Sequence, residues 1–351
     1  MANRKRLLRT GLGILVIAVV AYFFAKALID NWGAIQDAEL SWGWWAPGAL
    51  MLFVLAVAIS GWLWGRIVAA MSGQHLPVAE SVRVHFSAWL LKYIPGQAGF
   101  VVNKVAWGKR RGLSRLLVLI SVVYENAFLL LGSTVPMLAI LLVARAGDGE
   151  VTHAVWFAVA AVIPLVVLLH PAVFHRIVNV LARRTLKRDV PPEYFLRTAS
   201  VWTYQLAFLL PRLINGIGVV AISVAIAGAA PSSWLPLVAA YALAGAVGIL
   251  AVFVPSGLGV RESIFVLFAA PYLGVEQAII VSLAARVLAT GADLLIAGAY
   301  GLLTASARRR GGLATASAPE DVAVPDNGTK PPDSDNSDSS TADSEKDVRD
   351  A

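Results

Sequence analysis

The chain carries the sequence YIPGQAG at positions 93–99 and the sequence FVPSGLG at positions 253–259. Both follow an aromatic–aliphatic–Pro-x-x-x-Gly pattern and both lie in apolar surroundings. Proline removes a backbone donor and glycine adds conformational freedom, so each sequence interrupts any helix that contains it. An ionisable side chain follows each sequence about thirty residues later: Glu125 after the first and Arg286 after the second. Broken apolar helices at matching places in two halves indicate a transport-type site between inverted repeats.

The composition indicates a polytopic helical membrane protein. Of the 351 residues, 58% are hydrophobic and 15% are charged, and the mean hydropathy is +0.70. Several apolar runs exceed the roughly 18–20 residues that a helix needs to cross a bilayer, and their continuity excludes a barrel, whose strands alternate. The chain contains no cysteine, which excludes disulfides, thiolate metal sites and thiol nucleophiles. The histidines lack metal-binding spacing, so we expect no metal and no cofactor.

Charge is distributed unevenly along the chain. Residues 320–351 hold ten acidic and three basic side chains, so this segment carries −7 and the remainder carries +14. The positive excess lies in loops beside apolar segments, where it indicates topology and contact with anionic lipid, not nucleic-acid binding. Six full spans are predicted, the first of them uncleaved: 12–29, 46–70, 116–143, 154–171, 200–228 and 277–303. The positive-inside rule places four basic segments in the cytoplasm: 4–6, 104–115, 172–199 and 308–310.

This topology leaves two apolar segments that enter and leave the membrane on one face. The segment of about 83–103 has its tip at Pro95–Gly99, and the segment 235–272 has its tip at Pro255–Gly259. We therefore predict two re-entrant helical hairpins entering from opposite sides, in an inverted repeat of 46–143 against 200–303. Residues 235–254 are long enough to cross fully, so eight transmembrane helices remain the alternative.

The predicted domains are a polytopic membrane domain at 1–305 and an acidic tail at 306–351. The tail is rich in Ser, Asp, Pro, Gly and Thr, and such a segment cannot bury enough apolar area to offset the entropy of ordering. We expect it to be disordered. Both termini are predicted to be cytoplasmic, in a multi-pass protein of the cell membrane.

The boxes at Leu91–Gly96 (LKYIPG) and Val254–Glu262 (VPSGLGVRE), with the Glu125 helix between them, carry a family resemblance. In order and spacing the chain resembles, from about residue 10 to 305, the transmembrane flippase-like region of lysylphosphatidylglycerol synthetases and its stand-alone relatives. The resemblance implies a membrane module that moves or presents aminoacylated or other anionic lipids. Bifunctional members carry a soluble C-terminal domain that transfers an aminoacyl group from tRNA to lipid. Here a short tail follows the last span, so we do not expect synthetase activity.

Ionisable residues within spans are costly, at about 2.5–3.5 kcal/mol each, and mark candidate functional sites. Four are predicted to lie well inside the membrane: Glu125, Arg212, Arg286 and Asp293. In one interpretation they line a cavity, where the arginines bind a phosphate or carboxylate and the acids balance charge, bind an amine or carry a proton. In the other they form two structural ion pairs, Glu125 with one arginine and Asp293 with the other.

The predicted hairpins supply further candidates. Lys92 and Arg261 are placed to reach a lipid headgroup or to extend to the interface. Glu262 opens a short helix, where its charge complements the dipole, so capping is an alternative to substrate binding. The expected tip residues are Pro95, Gly96, Gly99, Pro255, Gly257 and Gly259.

Three features are expected to be structural. Gly61-x-x-x-Gly65 favours close helix packing within the core over a dimer seam. The flanking Trp62 and Trp64 are expected to face lipid. His85 is expected to be solvated or to cap a helix near the inner interface, with a proton relay as the alternative.

The sequence contains no nucleophile elbow, P-loop or dinucleotide fingerprint, so we expect no enzyme activity. The leading hypothesis is an integral membrane flippase-like protein that translocates anionic or aminoacylated phospholipid, or a lipid-linked glycan, by alternating access. The alternatives are a membrane-embedded transferase or accessory subunit acting on lipid-linked substrates, and a small-solute transporter. Expected partners are membrane lipids and a glycosyltransferase or lipid-modifying enzyme.

Overall fold

The computed structural model describes residues 43–93, 98–145, 170–186, 189–251 and 259–316, with single positions between them, and these residues are helices joined by short turns. Five segments are long and apolar enough to cross a membrane, so the chain is an all-α integral membrane protein. The chain divides into two units, Met1–Ala307 and Arg308–Ala351. The predicted span 12–29 lies outside the described residues, as does most of the predicted tail. Of the predicted span 154–171, the structure describes only the end and four single positions.

The first half contains two long helices separated by two short ones. Helix α1 (Trp45–Ser72) and helix α4 (Arg115–Arg145) have 28 and 31 residues, whereas α2 (Val78–Leu90) and α3 (Ala98–Arg110) have 13 each. At 1.5 Å per residue, a 13-residue helix is about 20 Å long, which is less than the ~30 Å hydrocarbon layer. The long helices match the predicted spans 46–70 and 116–143.

The short helices α2 and α3 pack against each other along their length. Ser87 Oγ donates a hydrogen bond to Asn103 Oδ1 at 2.9 Å, near the end of α2 that leads to the predicted tip. At the other end, Glu80 accepts hydrogen bonds from Trp107 Nε1 at 3.0 Å and from Arg111 Nη2 at 2.7 Å. These contacts hold the two arms of the first predicted hairpin together.

The segment between the halves is partly helical. The predicted cytoplasmic loop 172–199 was expected to be a connection, but it contains helix α5 (Pro171–Leu186) and a single turn at Pro192–Tyr194. Val178 of α5 is buried, and the Phe174 ring stacks on Tyr124 with centroids 4.6 Å apart. Apolar contacts with α4 therefore order this segment, and charge pattern alone did not indicate them.

The second half repeats the element order of the first. Helices α6 (Thr198–Ala207) and α7 (Leu209–Ala227) form the predicted span 200–228, followed by α8 (Pro231–Leu250), α9 (Val260–Leu273) and α10 (Val275–Ala316). Helix α10 contains the predicted span 277–303. Helix α8 has 20 residues and is itself long enough to cross, as the eight-helix alternative requires, whereas α9 has only 14.

The span 200–228 is interrupted at Phe208, which lies between α6 and α7. Pro211 follows three residues later and has no N–H to donate to the carbonyl of Ala207, so the regular hydrogen-bond ladder breaks there. Pro211 thus loosens this helix, and the break at Phe208 lies one turn before the proline.

Glycines set the closest approaches between helices. A Cβ on Gly61 of α1 would lie 2.7 Å from the Cβ of His85 in α2, and a Cβ on Gly65 would overlap the side chain of Ser81. The Gly61-x-x-x-Gly65 face therefore packs within the fold, as expected. Trp64 on the same helix is fully buried and donates to Ser121 Oγ at 3.1 Å, so the expectation that it faces lipid is wrong. Trp62 is partly exposed.

The second predicted tip depends on glycine. Gly257 and Gly259 have φ of +66° and +77°, which residues with a Cβ adopt at a cost. Gly259 also begins α9, where its N–H donates to Glu262 Oε2 at 2.7 Å. Gly99 is buried in the first turn of α3. The remaining tip residues, Pro95, Gly96 and Pro255, lie outside the described residues.

The halves contact each other through pairs of helices. Helix α1 packs against α7, and α4 packs against α8. One core cluster surrounds Trp64, Tyr124 and Phe128, and another surrounds Phe53 and Tyr241. Between these contacts a cavity remains.

Candidate functional site

The cavity has a volume of about 150 Å³ and is lined by helices of both halves. This space is well above the 10–15 Å³ or so that one water molecule requires. Its polar and charged lining residues come from α1, α2, α4, α7 and α9, together with the turn after α2. They are Ser60, His85, Trp89, Lys92, Glu125, Asn126, Arg212, Asn215 and Arg261.

Arg212 projects from the first turn of α7. Its Nε and Nη2 atoms are buried and have no hydrogen-bond partner among the described residues. Gly245 of α8 makes room for it, since a Cβ there would lie 2.8 Å from Arg212 Nη1. A buried guanidinium is normally fully hydrogen-bonded because desolvation is costly. These nitrogens are therefore donors available to a ligand in the cavity.

Arg261 lies at the start of α9, directly after the second tip. Its guanidinium carbon lies 4.4 Å from the centre of the Tyr241 ring, in a cation–π contact, and no ion pair with it occurs among the described residues. The charges of Arg261 and Arg212 repel each other, and Arg261 also repels Lys92. Three cations thus lie near one another at the cavity.

Glu125 of α4 forms the most deeply buried charge cluster. Its Oε2 accepts a hydrogen bond from Lys104 Nζ at 2.5 Å, and its Oε1 lies 3.3 Å from His85 Nδ1. Lys104 is 0% exposed and Glu125 is 1% exposed. The rings of Trp64 and Phe100 flank the lysine, with centroids 4.2 Å and 4.1 Å from Nζ.

Three expectations about this cluster are wrong. The ion-pair interpretation joined Glu125 to an arginine, but its partner is a lysine. Lys104 was assigned to a cytoplasmic basic loop, whereas it lies within α3 and is buried. His85 was expected to be solvated or capping, whereas it is buried, with its ring edge-on to Phe100 at 5.6 Å.

The sequence did contain a signal for Lys104. Four uncharged residues, Val105 to Gly108, separate it from the cluster Lys109–Arg111, and two valines and Asn103 precede it. An isolated lysine in an apolar stretch is a candidate for a buried ion pair. Asn126 and Asn215 also line the cavity. They were not selected from the sequence, because the apolar helices were searched for charged side chains and these amides carry no charge.

Asp293 of α10 contacts the other half of the molecule. It lies 2.7 Å from Lys92 Nζ and accepts a hydrogen bond from Trp89 Nε1 at 2.8 Å. The ion-pair interpretation joined Asp293 to an arginine, whereas the partner found among the described residues is a lysine. Lys92 also lies 4.3 Å from the centre of the Trp89 ring. This ion pair joins α10 to the turn that follows α2 and leads to the first predicted tip.

Arg286 pairs with Glu262 of α9 at 3.5 Å. Glu262 is buried and also caps α9 by accepting a hydrogen bond from the Gly259 N–H, as the capping interpretation of this residue requires. Arg286 and Glu262 line a second, smaller cavity of about 20 Å³, to which Arg261 also contributes. Of the four residues predicted within spans, the main cavity brings together Glu125 and Arg212, and Arg286 and Asp293 lie outside its lining.

No cluster of three or more metal-ligating side chains occurs among the residues that the structure describes. The lining offers cations and amides, which suit an anion. Among the described lining residues Glu125 is the only carboxylate, and it is already bonded to Lys104.

Comparison with known proteins identifies the membrane region as a whole. A family model described as the lysylphosphatidylglycerol synthase TM region matches residues 11–297. A search of curated proteins found no significant match. The match covers most of the chain, including every residue of the cavity described above. The chain belongs to the lysylphosphatidylglycerol synthase TM region family.

Proposed function

We propose that this protein translocates phospholipid, anionic or aminoacylated, or a lipid-linked glycan, across the cell membrane. The headgroup passes through the cavity between the halves, and the hydrocarbon chains stay in the bilayer. The two halves expose the cavity to each side in turn, and α2–α3 and α8–α9 act as re-entrant hairpins. The lengths of α2, α3 and α9, which are too short to cross fully, support this arrangement.

Arg212 is the observation that carries the proposal. An arginine within a membrane segment costs several kcal/mol unless it is paired, and the buried nitrogens of Arg212 have no partner among the described residues. Guanidinium groups bind phosphate by paired hydrogen bonds. A phosphate-bearing headgroup in the cavity would satisfy these donors. Arg261 would also reach this phosphate group.

Transport in proteoliposomes tests the proposal. Purified protein is reconstituted with fluorescent phospholipids, and dithionite quenching measures the fraction of label that moves between leaflets. We expect faster movement than in protein-free liposomes, at least a tenfold loss with Arg212→Ala, and partial recovery with Arg212→Lys. Arg183→Ala, on the exposed surface of α5, is the matched control and should keep wild-type transport.

The same preparation distinguishes lipid translocation from the alternative function of a transferase or accessory subunit. Lipid extracts are examined by mass spectrometry after incubation with lipid-linked donors. Unmodified lipids that change leaflet support translocation. If no lipid moves but modified lipids accumulate, the proposal is wrong and the transferase alternative replaces it.

A further inference from the structure

The charges at the cavity are unequally compensated. Four charged side chains line it: Lys92, Glu125, Arg212 and Arg261. Glu125 is already bonded to Lys104 at 2.5 Å, and Lys92 is already paired with Asp293 at 2.7 Å. Arg212 and Arg261 have no carboxylate within ion-pair distance among the described residues. The cavity therefore carries two uncompensated positive charges.

The acidic end of the cavity is unsuited to an ammonium group. An incoming amine would have to displace Lys104, which is fully buried against Glu125 and held between two aromatic rings. Such a displacement leaves a lysine buried without its partner, which is strongly unfavourable. Among the described lining residues, Glu125 is the only carboxylate. A headgroup amine thus has no free anionic partner there.

The cationic end suits one phosphate group. Arg212 offers its Nε and Nη2, and Arg261 rests on the Tyr241 ring beside it. Gly245 of α8 leaves space at this place, since a Cβ there would lie 2.8 Å from Arg212 Nη1. An anion between the two guanidiniums would also relieve their mutual repulsion.

We infer that the cavity selects lipids whose headgroup is a phosphate with net negative charge, and that it discriminates against headgroups bearing an amine. The inference rests on the proposed function, because it assumes that a lipid headgroup enters the cavity. It narrows the proposed substrates to anionic phospholipids. Unmodified phosphatidylglycerol is the model for the favoured class. Phosphatidylethanolamine and lysylphosphatidylglycerol, which add one and two amino groups, model the disfavoured class.

Binding measurements test the selectivity without any transport. Full-length protein in detergent is titrated with each of the three lipids, and native mass spectrometry gives the bound fraction. We expect phosphatidylglycerol to bind at least about ten times more tightly than either amine-bearing lipid. Because a charge-assisted hydrogen bond is worth one to two factors of ten, Arg212→Gln and Arg261→Gln should each remove most of this preference. Arg183→Gln should retain it.

Two further arms separate the outcomes. Inorganic phosphate is added as a competitor: if it displaces phosphatidylglycerol at equal concentration, the site reads free phosphate and the inference of a lipid ligand is overturned. Tightest binding of lysylphosphatidylglycerol would overturn the charge selectivity. Selective binding without leaflet exchange would sustain the inference and refute the proposed function. Leaflet exchange of all three lipids at equal rates would support the proposed function and refute the inferred selectivity.

The test stays interpretable if one of the glutamine variants does not fold. Arg261→Lys keeps the positive charge and the contact with Tyr241, and it should retain the preference for phosphatidylglycerol. Circular dichroism and size-exclusion chromatography select the folded variants. Loss of preference in Arg261→Gln but not in Arg261→Lys supports the inference, whereas equal loss in both contradicts it.

Discussion

Glu125 and Arg286 occupy matching positions in the two halves, and each forms an ion pair with the short helix that follows its own half's Pro-x-x-x-Gly sequence. Glu125 binds Lys104 of α3, and Arg286 binds Glu262 of α9. The arrangement is the same, and the signs of the charges are exchanged. One ion pair thus joins each long helix to the second arm of the hairpin that is predicted in its own half, which is what a repeated architecture predicts.

The buried pair of Lys104 and Glu125 should dominate the stability of the first half. Lys104→Met leaves the buried carboxylate of Glu125 without its lysine partner, and breaking a buried pair costs about 3–5 kcal/mol. We expect a large loss of thermal stability in detergent, measured by fluorescence-detected size-exclusion chromatography. The double variant Lys104→Met with Glu125→Leu should recover most of the loss.

The exposed pair of Arg183 and Asp189 is the control for this experiment. Asp189→Asn should change the melting temperature little, since exposed ion pairs are screened by water and salt. A Lys104→Met protein as stable as wild type would show that the buried pair does not hold α3 against α4.

The sequence predicts the parts of this site that depend on local pattern. Long apolar runs identify the spans, and the repeated Pro-x-x-x-Gly sequence identifies the breaks, because both properties are local. Glu125 and Arg212 were recognised because a charge in an apolar helix is visible by itself. The partners were not, because pairing depends on helix rotation and depth: Lys104 resembles a loop lysine until α3 is placed against α1 and α4.

Gly245 should be required for lipid movement. A Cβ there would lie 2.8 Å from Arg212 Nη1, so Gly245→Ala should displace the guanidinium and lower the rate of leaflet exchange several-fold in the proteoliposome assay. Gly298→Ala in α10 is the matched control, since nothing lies within 4 Å of its Cβ position. Alanine also favours a helix by about 0.5–1 kcal/mol over glycine. Equal exchange rates in the two variants would argue against a role for the Arg212 position.

His175 of α5 should make stability depend on pH. Tyr124 Oη accepts the N–H of Leu196 at 3.2 Å and lies 3.4 Å from His175 Nε2, to which it can donate. Partial burial lowers the pKa of His175 below its usual 6.5. The folded protein thus disfavours the protonated ring, and the unfolded chain binds more protons below about pH 6.5.

The sign follows from this proton balance. Stability contributed by neutral His175 is present above about pH 6.5 and is lost as the pH falls toward the lower pKa of the folded state. Melting temperatures of wild type and His175→Gln between pH 5 and 8 provide the measurement. We expect the wild type to lose more stability than the variant at the acid end. Parallel curves would remove His175 as the cause.

The topology can be tested directly because the chain contains no cysteine, so each introduced cysteine is the only thiol. Arg110→Cys at the end of α3 and Ser232→Cys at the start of α8 lie at the outer ends of the two predicted hairpins. If the hairpins enter from opposite faces, an impermeant maleimide should label Ser232→Cys in intact cells and Arg110→Cys only after permeabilisation. Labelling of both from outside would contradict the inverted repeat. With Arg110 outside, the two hairpin arms would open on one face, and alternating access around the cavity would lose its structural basis.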